Sequence, residues 1–381
     1  MLKQGIGALP SAVTVDDVYE TIDRLGAIQI DTINVVERAH YLTLWTRLGA
    51  YHKENLHNLA YHDRRIFEGW GHAASFIPLK DYRYFIKANK IRAEDNVVHK
   101  GWFRSTDPEM LNSVLERIKN EGPIQSSDFE GPKPSKGWWG WKPAKLALEA
   151  LFSSGILMVL ERKNFQRIYD LTERVLPSWV DASEPSDEER INFFCTRTMG
   201  CLGAIKPADV RGYYHHWCVK LEKNTKQLQA ILDGLVDEGA AVKINVDRLK
   251  QPYYCLSEDS PKLEKFASES FFDDVRVINY FDSMLWHRDR IEQLFDFEPA
   301  LEVYLKPEQR RFGYFNLPIL YGDNLVGRLD PKLDRKDKKL LVRGTWYEPW
   351  FAPDEEFEDK LGKCLENLAN FCKADVVEWP N

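Results

Sequence analysis

Two stretches of the chain follow one pattern, and that repeat constrains the fold more than any other feature. "LEALFSSGILMVLERKNFQRIYDL" (148 to 171) and "LDGLVDEGAAVKINVDRLKQPYYCL" (232 to 256) share Leu-x-x-Leu-x-x-x-Gly, a β-rich run, a polar turn and a closing strand with Tyr-x-Leu. Leu148, Leu151 and Gly155 correspond to Leu232, Leu235 and Gly239. A helix stopped by glycine and followed at once by a hairpin is the sequence form of a winged helix. Upstream, "GPIQSSDFEG" (122 to 131) and "GAIKPADVRGYYHH" (203 to 216) each offer a short strand and capping residues before a helix. Winged-helix modules are therefore expected over about 107 to 180 and 187 to 260.

The flanking blocks complete an α+β chain. In the first, 1 to 106, Thr14 caps a helix running to about Leu25 with Asp17 as its capping-box acid, and a second helix is expected from Thr32 or Asn34 to Leu48. This block is read as a third, looser winged-helix-like unit. From 275 to 381 the text changes to alternating strands, "ALEVYL", "GYFNLPILYGDNLVGRLDPK" and "KKLLVRGTWYE". Gly322-Asp323-Asn324 and Asp337-Lys338 are expected as hairpin turns, and a terminal amphipathic helix near Phe357 to Lys373.

Charge and cysteine usage narrow the class. The chain has 381 residues, enough for several modules, and 44% hydrophobic with 29% charged residues is the balance of a globular protein. No apolar run approaches the ~18 residues needed to span a bilayer, and the start lacks the apolar core of a signal peptide, so a cytoplasmic protein without membrane association is expected. The six cysteines show no C-x-x-C and no matching histidine spacing, so neither a metal site nor a disulfide frame is signalled, and no cofactor is called for. A net charge of −7 weighs against a protein that coats nucleic acid indiscriminately. Acidic residues gather in "DASEPSDEE" (181 to 189) and "PDEEFEDK" (353 to 360), whereas "KDYRYFIKANKIR" (80 to 92) and "RLDPKLDRKDKK" (328 to 339) are basic, which permits one basic face.

The chemistry sits in "GAIQIDTINVVERAHYLTLWTRLGAY" (26 to 51), where Gln29 and Asp31 interrupt what otherwise reads as buried strand. An extended segment alternates its side chains, so Gln29 and Asp31 lie on one side and Ile28 and Ile30 on the other. The plain alternative is that Asp31 or Thr32 caps the next helix and Gln29 sits on a wet edge.

With its surroundings, this segment resembles the bacterial alkylpurine DNA glycosylases typified by AlkZ and YcaQ, in the Gln-Φ-Asp form of the YcaQ-like branch. "FEGWGHAASFIP" (67 to 78), "GWWGWKPAKLALEALFSSG" (137 to 155), "FDSMLWHRDRIEQLF" (281 to 295) and "RRFGYFNLPILYGDNLVGRLDPKLDRK" (310 to 336) follow in family order. Members usually carry a longer helical stretch before the position of Gln4-Gly5. The resemblance implies tandem winged helices forming a C-shaped cleft, a C-terminal β domain, and metal-free hydrolysis of the N-glycosidic bond of N7-alkylated purines, including unhooking of interstrand crosslinks. The implied partner is double-stranded DNA carrying such lesions, met by a monomer that is cytoplasmic and nucleoid-associated when bound.

The residue types suit that reaction on their own terms. Alkylation at N7 makes the base a cationic leaving group, so what remains is to supply water and stabilise a sugar cation. Asp31 can accept a proton and place negative charge near that cation, and Gln29 can orient the water. Arg38, His40 and Arg47 follow the motif, and Arg38 is taken as the one that reaches a phosphate. His72 in "WGHAAS" is a second DNA-binding candidate, with a satisfied structural histidine as the alternative. Arg328, Lys332 and Arg335 are candidates for the duplex backbone, against a hairpin salt-bridged through Asp330 and Asp334. Trp138, Trp139 and Trp141 read as loop packing, and Lys142 and Lys145 begin a recognition helix for which groove reading is not assumed. The competing functions are a winged-helix transcription regulator and an architectural array, neither of which needs paired Gln29 and Asp31.

Overall fold

The structure is a computed structural model, and it describes residues 1–97, 107–129, 143–266 and 273–379. Trp138, Trp139, Trp141 and Lys142 lie outside the described residues. The chain is α+β and forms two compact units. One holds Met1–Leu56, Asn192–His215 and Lys223–Asn381; the other holds His57–Ile191 and His216–Glu222.

The repeated text folds into repeated geometry, one copy of the hairpin in each unit. The Pro143–Ser153 and Thr225–Asp237 helices end at Gly155 and Gly239, both at φ 75°. Each glycine amide donates to the carbonyl three residues back, and the next amide to the carbonyl four before the glycine: Gly155 to Phe152 and Ile156 to Leu151, Gly239 to Val236 and Ala240 to Leu235, all at 2.9–3.0 Å. A left-handed position closed by this bond pair favours glycine, because a Cβ there is strained. Each chain then returns as a hairpin, Leu157–Lys163 with Gln166–Leu171 and Ala241–Ile244 with Tyr253–Leu256. The hydroxyls of Thr172 and Ser257 close the two motifs on the Gly155 and Gly239 carbonyls, each at 2.7 Å.

The closing tyrosines explain the spacing shared by the two copies of the repeat. Tyr169 donates to Glu149 at 3.0 Å and Tyr254 to Asp233 at 2.8 Å, the carboxylate in both cases following the first leucine of the pattern. Both tyrosines also pair with an upstream strand residue, Ile124 and Ile205 respectively. The residue after each isoleucine, Gln125 or Lys206, has its amide capped by the Asp128 or Asp209 carboxylate at 2.9 Å.

In the first unit, a five-stranded sheet runs in the order Val376–Glu378, Lys339–Tyr347, Asn324–Asp334, Leu317–Tyr321 and Val275–Val277. It is antiparallel except for the pairing of Lys339–Tyr347 with Val376–Glu378. Pro331 sits where the register shifts, the place in a sheet where a missing N–H is tolerated. The expected turn at Gly322 forms, with Tyr321 paired to Asn324 and Gly322 at φ 55°. The terminal helix is Glu355–Phe371, capped by Asp354 and carrying Glu355, Glu356 and Glu358 in its first turn, so part of the acidic run faces the positive end of a helix.

Two sequence expectations give way to tertiary bonds, and a third turn is widened by a local one. The second helix of the first block starts at Ala39 and not at Thr32 or Asn34, because residues 32–37 are held irregular by bonds described below. "ALEVYL" is no strand: the buried Glu302 carboxylate accepts from the amides of Arg311 and Phe312 at 2.9 and 2.8 Å and folds the segment into a loop. The hairpin after Asp334 turns through four residues, with Asp334 accepting from the amides of Lys336 and Asp337 at 3.0 Å each.

Charge segregation is also undone within the second unit. Arg83 pairs with Glu189 at 2.7 Å and Asp181 at 3.2 Å, Lys87 with Asp187, and Lys90 with Glu184. The basic run 80 to 92 is thus largely matched to the acidic run 181 to 189, and Arg92 is engaged by the Ser153 and Cys218 carbonyls.

Candidate active site

The approach to Gln29 and Asp31 is set by a helix that stops abruptly. Thr14 and Asp17 form the expected capping box, and the Val15–Leu25 helix ends at Gly26 with φ 66°. A Cβ on Gly26 would lie 2.2 Å from the Tyr214 hydroxyl, so both backbone and space demand glycine here. The chain leaves extended, with Ile28 and Gln29 in a short strand. Burial then alternates as expected: Ile28 and Ile30 are buried, Gln29 and Asp31 half-buried.

Asp31 is held by its own backbone. Its Oδ1 accepts from the Ile33 amide at 2.7 Å, a turn that fixes the carboxylate just after the strand. Among the described residues no cation forms an ion pair with it. Burial raises its pKa above the usual carboxylate value, and the donors at Ile33 and Thr32 only partly offset this. Gln29 makes no side-chain hydrogen bond among the described residues, which leaves both faces of its amide for a ligand or water. A half-buried carboxylate with elevated proton affinity beside a donor–acceptor amide can bind a water, take its proton and present negative charge to a cation.

The other sequence candidates separate. Arg38 is half-buried and stands at the N-cap position of the Ala39–Leu48 helix rather than along it, its amide donating to Glu37 at 2.9 Å. His40 and Arg47 are buried, and Arg47 forms a two-bond ion pair with Asp282 at 2.5 and 2.8 Å. His72 belongs to the second unit, half-buried in the turn between the Ile66–Trp70 and Ala74–Pro78 strands. Lys145 is half-buried near the start of the Pro143–Ser153 helix.

The three hairpin cations have three different fates. Arg328 is 3% exposed, lies 4.3 Å from both the Phe297 and Phe312 ring centroids, and donates to Glu348 at 2.7 Å and the Glu298 carbonyl at 3.0 Å. So enclosed, its guanidinium is not presented to a phosphate, which corrects the expectation made for it. Its partner is Glu348 rather than Asp330, which pairs with Arg343 at 2.8 Å. Arg335 is exposed, and its Nη2 donates to Asn34 Oδ1 at 2.6 Å and the Val36 carbonyl at 2.9 Å. Lys332 is exposed and forms no ion pair among the described residues.

Tyr304 went unnoticed in the sequence. It is 79% exposed as a residue, on the loop that Glu302 pins; partial desolvation of its hydroxyl first, and then the negative charge of Asp31, raise its pKa. Arg310 stiffens the same loop through the Leu305 carbonyl at 2.9 and 2.7 Å. The available signal was a tyrosine between an acid and a Pro-containing turn, which is too common to single out. A separate cavity of about 900 Å³, lined among others by Arg24, Arg197 and Arg290, includes neither Gln29 nor Asp31.

Comparison with known proteins gives the family and the fold. The family model "DNA glycosylase AlkZ-like" matches residues 22–371. Among solved structures, the Streptomyces sahachiroi DNA glycosylase AlkZ is similar in fold, with a TM-score of 0.65 and 13% sequence identity, over 100% of this chain and 96% of that one. Fold and family together define an enzyme that cuts a base from DNA. The chain belongs to the AlkZ-like DNA glycosylase family.

Proposed function

We propose that this glycosylase hydrolyses the N-glycosidic bond of N7-alkylated purines in duplex DNA, as a monomer, and unhooks interstrand crosslinks built on the same cationic linkage. The observation that carries this reading is the half-buried Asp31 carboxylate, raised in pKa by burial and without a cationic partner among the described residues. Such a group suits a reaction whose substrate brings the positive charge. N7 alkylation makes the base cationic, so the glycosidic bond breaks with little acid assistance and charge develops on the sugar. Asp31 stabilises that charge and deprotonates the water that adds to C1′, while Gln29 holds the water between its carbonyl and amide. The pattern is that of a sugar hydrolase lacking its acidic carboxyl, and it confines activity to bases that leave without protonation. Tyr304 offers an exposed ring within electrostatic reach of the same carboxylate, suited to stacking on a cationic base. Lys332 is the hairpin cation suited to a phosphate.

The test is release of free 7-methylguanine from methylated duplex DNA by the purified protein, with an unmethylated duplex as control. A nitrogen-mustard crosslinked duplex then asks whether unhooking follows. No release of 7-methylguanine would remove the proposed substrate class.

A further inference from the structure

We infer that Arg335 is a positioning residue for Asp31, acting through Asn34 and Val36, and is not a phosphate ligand. The inference rests on the reading of Asp31 as the base. Between Asp31 and the Ala39–Leu48 helix the chain has no regular structure, and the local turn from Asp31 to Ile33 restrains only its beginning. Residues 34 to 36 are instead held by the end of the Asn324–Asp334 strand and the turn that follows it. The Leu333 amide donates to the Val35 carbonyl at 3.0 Å, and Arg335 Nη2 donates to Asn34 Oδ1 and to the Val36 carbonyl. Three bonds thus grip three consecutive residues from a segment about 300 positions further along the chain.

The residue types fit this role better than a DNA contact. Asn34 is the one polar side chain in the run Ile33, Asn34, Val35, Val36, and its Oδ1 meets the guanidinium. The hairpin presenting Arg335 is itself fixed, because Asp334 caps the amides of Lys336 and Asp337. A planar guanidinium can hold two oxygens at set angles, which the compact ammonium of lysine does not reproduce. Displacement of a reacting group by about 1 Å can cost on the order of 100-fold in rate, so a loosened segment three residues beyond Asp31 has a kinetic consequence even where affinity is unchanged.

The experiment uses the full chain and two readouts: single-turnover release of 7-methylguanine with the DNA saturated by enzyme, and the salt dependence of duplex binding. Arg335→Ala and Asn34→Ala are each expected to slow excision about tenfold or more. The double variant should be no slower than the slower single one, because both remove the same restraint. Neither changes the slope of log K against log salt, whereas Lys332→Ala lowers its magnitude by about 0.9. Arg335→Lys keeps the charge and fold and is expected to stay slow. A wild-type rate for Arg335→Ala, full rescue by Arg335→Lys, additive single effects, or a slope lowered by about 0.9 in Arg335→Ala with an unchanged saturated rate would each overturn the inference. A wild-type protein that releases no base sinks the reading of Asp31 instead, and the inference with it.

Discussion

Asp31 and Glu68 are both carboxylates withdrawn from water, one in each unit, and they have opposite neighbours. Glu68 is 3% exposed and receives Arg162 at 2.6 and 2.7 Å, Arg167 at 2.9 Å and the Tyr61 hydroxyl at 2.7 Å. Burial alone would raise its pKa, but the two guanidiniums reverse this and hold it down to about 2. Asp31 is less buried, is offset only partly by the backbone donors at Ile33 and Thr32, and shifts the other way. The difference separates architecture from chemistry: a carboxylate surrounded by cations ties strands together, whereas one left without them keeps its affinity for a proton and for a cationic substrate.

The largest effect that can break this comparison is at Asp31. Asp31→Asn preserves shape and removes the base, so single-turnover excision should fall by about 10²- to 10⁴-fold. Binding to 7-methylguanine duplex should stay within about twofold, and thermal stability should hold or rise, because a desolvated charge is lost. A destabilised Asp31→Asn protein would mean that the carboxylate is structural after all.

Glu68→Gln should behave in the opposite manner. Removing one charge from a buried ion-pair network typically costs about 3–5 kcal/mol, measurable by denaturant unfolding, and the excision rate of the folded fraction should be unchanged. Linkage gives the pH signature. The folded pKa of about 2 lies below the ordinary glutamate value of 4.5, so the stabilisation is fully present above about pH 4.5 and is lost as pH falls toward 2. In Glu68→Gln that acid-sensitive component disappears.

A smaller effect is expected at Tyr304, which sharpens the comparison by asking what the unpaired carboxylate is paired with in the complex. Its exposed ring does little for the fold, so Tyr304→Ala should leave the melting temperature unchanged. Affinity for lesion-containing duplex should weaken by about 1–3 kcal/mol, with recovery in Tyr304→Phe. Equal weakening on undamaged duplex would make Tyr304 a general DNA contact.

Much of this was legible in the sequence where local chemistry decides. The Leu-x-x-Leu-x-x-x-Gly repeat encodes its helix stop and hairpin through Gly155 and Gly239, and the Thr14–Asp17 capping box and the alternation around Gln29 and Asp31 are equally local. What was missed depends on distant partners. The delayed start of the Ala39–Leu48 helix is set by Leu333 and Arg335, and the loop at Val303 to Lys306 by the amides that Glu302 captures. Whether a cation faces DNA or a carboxylate is equally unreadable from spacing, as Arg328 and the run from Arg83 to Lys90 show, each answered by acids that only the fold brings near. That no cation among the described residues pairs with Asp31, on which the account turns, is a property of three dimensions.

The most direct test of that claim is the pH dependence of single-turnover 7-methylguanine release by the wild type and Asp31→Asn. In the proposed mechanism Asp31 acts as its carboxylate, so the wild-type rate should fall as pH drops through an apparent pKa above the ordinary aspartate value, and the residual Asp31→Asn rate should show no such limb. A flat wild-type profile, or an acid limb that persists in Asp31→Asn, would contradict the assignment of Asp31 as the base.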